Sequence, residues 1–69
     1  KLYLKYVLYI TALLKEEALP PEALDHPLKG EYAHYREFHI SGDLLVIYAI
    51  EKDVLQLIRI GSHSELFRK

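Results

Sequence analysis

Four histidines, His26, His34, His39 and His63, fall within one 38-residue stretch of a 69-residue chain. Imidazole is the side chain whose unperturbed pKa lies nearest neutrality, so this concentration suggests proton transfer or a polar ligand site. His39 and Asp43 flank the Ser41-Gly42 turn. A carboxylate beside an imidazole fixes its tautomer, raises its basicity and suits general acid–base work. The plainer reading is a turn aspartate bonded to nearby backbone, next to a surface histidine. Glu37 shares strand parity with His39, so both can face one pocket, whereas Arg36 has the opposite parity unless a bulge intervenes and reads as structural or as part of a phosphate-contacting rim. Arg59 and His63 bracket the end of an apolar run. A guanidinium fork suits phosphate oxygens and could neutralise charge developing in phosphoryl transfer while an imidazole donates the proton. Alternatively, Arg59 pairs with Glu51 or Asp53 across a hairpin, a surface contact of little energetic value. His26 precedes Pro27, which restrains its backbone; that suits a functional histidine or one that plugs a sheet edge. His34 lies among tyrosines and reads as structural or interfacial. Two imidazoles and Asp43 could in principle gather a metal. No H-E-x-x-H or comparably tight spacing is present, and there is no cysteine, so neither a metal nor a cofactor is expected.

The elements that must position these groups follow from periodicity. Leu2, Tyr6, Tyr9, Leu13 and Leu14 keep the spacing of one helical face, and Leu2 to Ala18 reads as a helix ended by Pro20-Pro21. Tyr3, Val7 and Ile10 widen the apolar face so far that the helix needs cover on more than one side. Pro21 to Leu24 reads as a short helical turn, and Asp25 to Gly30 as an ordered loop. Three strands are expected at Tyr32–Ile40, Leu44–Ile50 and Val54–Ile60, joined by turns at Ser41-Gly42-Asp43 and Glu51-Lys52-Asp53. Turns this short favour an antiparallel meander. Ser62 to Phe67 is either a closing helical turn or an irregular tail. A helix followed by three strands is α+β rather than alternating α/β.

At this length the chain is at most one domain with a marginal core, so a partner or further chain is a natural complement. The formal net charge of −1 argues against a generic nucleic-acid surface, which draws its energy from phosphate neutralisation. A small basic patch remains compatible with that balance. The apolar stretch at Leu2–Ile10 is too short, and too interrupted by Lys5, to cross a bilayer.

Four ordered blocks carry a family likeness: Asp25-His26-Pro27-Leu28-Lys29-Gly30, Tyr35-Arg36-Glu37-Phe38-His39-Ile40, Asp43-Leu44-Leu45-Val46-Ile47-Tyr48, and Arg59-Ile60-Gly61-Ser62-His63-Ser64-Glu65-Leu66-Phe67. Together they resemble the YafQ-like branch of the RelE/ParE toxin superfamily, over essentially the whole chain. The resemblance implies a RelE-like α+β fold, with a helix packed on an antiparallel sheet of at least three strands. It further implies a cytoplasmic toxin of a type II toxin–antitoxin system, which cuts messenger RNA in the ribosomal A site and is neutralised by an antitoxin. Operator DNA would be met only through the antitoxin complex. By the same resemblance His26, His39, Asp43 and His63 are catalytic, while Glu37, Arg59 and Phe67 contact substrate. Phe67 would stack on a base. The implied chemistry is metal-free: attack of the ribose 2′-hydroxyl on the adjacent phosphate leaves a 2′,3′-cyclic phosphate and a free 5′-hydroxyl.

Two features depart from that pattern. Family members begin with a strand and a helix ahead of the helix seen here, so residues 1–69 are expected to form a toxin-like domain that is partial at its N-terminus. Ribosome-dependent toxins are also typically basic. A competing expectation is therefore a catalytically silent toxin fold that only engages an antitoxin or an operator complex. A ParE-like topoisomerase inhibitor is disfavoured, because that branch lacks this histidine set.

Overall fold

The computed structural model describes residues 2–66, and the side chains of all of these except Leu2 and His63. Helix α1 (Leu2–Leu14) is followed by a 3-10 turn at Pro21–Ala23 and a two-residue strand β1 (His26–Pro27). A second 3-10 turn (Gly30–Tyr32) leads into β2 (Arg36–His39), β3 (Leu45–Glu51), β4 (Val54–Gly61) and α2 (His63–Leu66). The strands form one antiparallel sheet in the order β1-β2-β3-β4, and the α+β expectation of a helix on a meander is met.

Four local differences from the sequence reading have physical causes. Helix α1 stops at Leu14 rather than Ala18 because Glu16 enters the left-handed region at φ 59°. The Glu17 amide then reaches back to the Ala12 carbonyl at 2.8 Å and the Glu16 amide to Leu13 at 3.0 Å, the pattern of a Schellman stop. The first long strand shrinks to Arg36–His39, since Gly30 at φ 66° turns the chain into local bonds: Ala33 amide to Gly30 carbonyl, and Tyr35 amide to Tyr32 carbonyl. Tyr32 and His34 therefore lie on the approach to the sheet, not in it. His26 and Pro27, expected in a loop, pair instead with Glu37 and Arg36. Strand β4 runs one residue further, to Gly61, and α2 supplies the closing helical turn.

Register divides the sheet into two faces, because residues directly opposite in an antiparallel pair project to the same side. Phe38 stands opposite Val46 and Arg36 opposite Tyr48. This is the helix side, where Phe38, Val46 and Tyr48 are buried with Tyr9, Ala23 and Ile40. The Tyr9 ring meets Phe38 edge-on, with centroids 5.6 Å apart. The outer side of α1 stays open, and Tyr3, Leu4, Val7 and Leu8 are each more than half exposed. At the sheet edge the buried Tyr48 hydroxyl donates to Asp25 Oδ1 at 2.6 Å, and Arg36 Nε lies 3.2 Å from both oxygens. Burial pushes the Tyr48 phenol up to about 12, the Asp25 bond adds to that rise, and Arg36 opposes it. Burial by itself would lower the Arg36 pKa, but its bonds to Tyr48 and Asp25 and the carboxylate's charge outweigh that effect and raise it. Asp25 immediately precedes His26, so this cluster pins the first histidine to the sheet.

Candidate active site

The second face of the sheet carries the polar groups. His26 stands opposite Glu37, Glu37 opposite Ile47, and Ile47 opposite Arg59. His39 stands opposite Leu45, which faces Gly61. His26, Glu37, His39 and Arg59, drawn from three strands, thus project to the side away from α1. The expected alternative for Arg59 does not arise, because Glu51 lies at the far end of the hairpin opposite Val54.

Glu37 is the one buried charged side chain among the described residues, at 3% exposure. Its Oε2 lies 2.9 Å from His26 Nε2 and 3.6 Å from His39 Nε2. The two imidazoles lie with ring centroids 6.4 Å apart and planes 25° from parallel. One carboxylate therefore fixes two imidazoles, and a buried carboxylate depends on such partners. His26 Nδ1 sits 2.6 Å from the Leu24 carbonyl. A carbonyl only accepts, so that short contact places a proton on Nδ1. The Nε2 side of the same ring meets the Glu37 carboxylate at 2.9 Å. His26 is half-exposed and His39 mostly covered.

Leu24 presents its carbonyl by adopting φ 51°, at the end of the first 3-10 turn. A strained backbone position thus sets the orientation of the first histidine. At the other end of the sheet Ser62 and Glu65 form a capping box. The Ser62 amide donates to Glu65 Oε1 at 2.9 Å, and the Glu65 amide donates to Ser62 Oγ at 3.2 Å. This box starts α2 at His63, directly after the strand that carries Arg59. Asp43 lies exposed in the turn beyond β2, and the ion pairs of His26 and His39 run to Glu37. His63 is placed by its backbone alone, and Phe67 lies outside the described residues. His34 is exposed, away from the Glu37 cluster. Sequence reasoning missed Ser62 and Glu65, although an S-x-x-E spacing is a helix-start signature. It also gave Glu37 too small a part, because a strand glutamate is ordinarily solvated. Among the described residues no set of three or more His, Asp or Glu side chains is arranged to hold a metal ion, and no helix is long and apolar enough to cross a membrane.

Residues 3–68 match the family described as the bacterial toxin of type II toxin–antitoxin system, YafQ. The mRNA interferase toxin YafQ of Escherichia coli K12 is 38% identical over 61 residues, covering 86% of this chain and 66% of that protein. The chain thus spans just under two thirds of the length of this curated relative. Among solved structures, a copper-bound mutant toxin from Helicobacter pylori superposes with a TM-score of 0.89 at 44% identity, over 91% of this chain and 72% of that one. YafQ in the E. coli DinJ-YafQ complex gives 0.84 at 32% identity, over 97% and 76%. With sequence and fold in agreement over nearly every residue, the chain belongs to the YafQ family of bacterial type II toxin–antitoxin toxins.

Proposed function

We propose that the protein is the toxin of a cytoplasmic toxin–antitoxin pair, a ribosome-dependent endoribonuclease that cuts messenger RNA by general acid–base phosphoryl transfer. The observation that carries this reading is the pair of imidazoles gathered on Glu37, with Arg59 on the same face of the sheet. His39 takes the proton of the ribose 2′-hydroxyl, and the 2′ oxygen attacks the adjacent phosphorus. The bond from phosphorus to the 5′ oxygen breaks, and that oxygen leaves with a proton from His63. The products are a 2′,3′-cyclic phosphate and a 5′-hydroxyl. Arg59 neutralises the non-bridging oxygens, whose charge grows in the transition state. Glu37 holds His39 in line, and His26 orients substrate or shares the proton. The parts given to His63, Asp43 and Phe67 rest on the family resemblance. The E. coli relative is an mRNA interferase toxin and is known in a complex with DinJ. A DinJ-like antitoxin is the partner proposed here.

Induced expression with primer extension tests the reading. Growth arrest with codon-positioned cuts is expected, relieved by His63→Ala. Unaltered growth and intact messenger would instead favour the catalytically silent toxin fold. Cleavage that persists in both the His39→Ala and His63→Ala proteins would rule out the mechanism.

A further inference from the structure

The face that carries Glu37 and Arg59 continues past them along the strands. Beside Arg59 a cleft of about 170 Å³ is lined by Tyr32, Tyr35, Ile47, Ile58, Arg59 and Leu66. Next to it a larger hollow, about 390 Å³, is lined by His34, Tyr35, Ala49, Ile50, Glu51 and Gln56. Tyr35 lines both. A register shift between Ile47 and Tyr48 leaves Ile58 extra on β4, and two sequence neighbours, Ile58 and Arg59, thereby line one cleft. Bulges of this kind re-aim side chains beside active sites.

We propose that these two hollows are consecutive nucleobase seats, with the Tyr35 ring held between two splayed bases and Gln56 reading the edge of the base farther from Arg59. This rests on the ribonuclease reading and extends it to the substrate bound beside the cut. Three observations carry it. Each seat has an aromatic wall, and single-stranded RNA is characteristically held with unstacked bases against aromatic rings. The first cleft is smaller than the roughly 300 Å³ at which drug-sized pockets begin, so a single flat ring system is what it admits. The floor positions Ile47 and Ala49 are two residues apart on β3, about 7 Å at strand rise. That is twice the roughly 3.4 Å spacing of stacked bases, the separation needed to place one ring between two. The seats differ in chemistry. Arg59 puts a cation where a phosphate would link to the first base, whereas Gln56 offers both a donor and an acceptor to the second.

The test maps cuts by primer extension for the parent protein and for Tyr35→Ala, Tyr35→Phe and Gln56→Leu. In parallel, the tyrosine ring protons are followed while an oligoribonucleotide with a 2′-deoxy scissile position is added. Loss of one stacking ring should weaken oligonucleotide binding by about 5- to 150-fold, and Tyr35→Phe should restore it. Gln56→Leu should relax base preference near the cut while cleavage continues. If the parent cuts RNA but the Tyr35→Ala and Gln56→Leu profiles match it, the seats are refuted and the ribonuclease reading stands. If the parent does not cut, but its tyrosine rings shift and Tyr35→Ala weakens binding, the seats stand and the catalytic reading falls. No ring shift on titration refutes the seats in either case. Variants that lose antitoxin neutralisation while keeping parental base preference would assign the face to a protein segment and overturn the proposal.

Discussion

Glu37 is the residue on which the site turns, and its neighbourhood explains why the sequence understated it. Parity alone put Glu37 and His39 on one side of a strand, and the sheet confirms that geometry. What parity could not reveal is the two-residue strand that brings His26 opposite Glu37, because two residues carry no periodicity and one of them is a proline. Without that strand Asp43, across the turn, was read as the acid that supports His39, and Glu37 only as a neighbour sharing its pocket. With it, the carboxylate within reach of both imidazoles is Glu37. Glu37→Gln keeps the shape while removing the charge that faces both rings. On the acid–base reading this should lower single-turnover RNA cleavage by roughly 10²- to 10⁴-fold. A circular dichroism spectrum matching the parent would separate that loss from misfolding. Retention of parental turnover would remove Glu37 from the mechanism.

Element boundaries were legible where glycine, proline or a tight turn marked them, and illegible where a side chain did unusual work. The two hairpin turns and the order of the main strands followed from composition. The end of α1 did not, because its stop is a glutamate in a conformation that ordinarily belongs to glycine. A non-glycine residue there costs roughly 1 to 2 kcal/mol, and Glu16 is exposed. Glu16→Gly should therefore raise stability by about 1 kcal/mol, read as a higher midpoint in urea at an unchanged slope. At the opposite end, the capping box makes the placement of His63 depend on Ser62. Ser62→Ala should cost about 0.5 to 2 kcal/mol of local helix stability, seen as faster amide exchange across residues 63–66. Gly61 adds a steric limit to the same junction. A methyl there would lie 3.0 Å from Glu65 Oε1 and 3.3 Å from Leu66 Cδ2, competing with the cap.

Across the whole molecule the helix-side core and the polar face are joined through the Tyr48–Asp25–Arg36 cluster. Tyr48 is fully buried in the core, yet its hydroxyl holds the residue next to His26. The sequence displayed Tyr48 only as one more apolar strand position, since nothing local tells that its hydroxyl meets a carboxylate 23 residues earlier. The same burial makes the fold sensitive to alkali. The folded-state phenol is pushed up to about 12, whereas an unperturbed tyrosine ionises near 10. The folded state therefore binds this proton more tightly than the unfolded chain does. Its contribution is fully present below pH 10 and declines as pH rises from about 10 to 12. Tyr48→Phe abolishes that titration and also the charge-assisted bond to Asp25. At neutral pH the variant should be less stable by about 1.5 to 3 kcal/mol. Between pH 10 and 12 the parent should lose stability faster than the variant, so the gap between their urea midpoints narrows. A gap that stays constant across that range would mean that Tyr48 ionises alike in the folded and unfolded chains, and that its hydroxyl acts only as a neutral tether for the loop bearing His26.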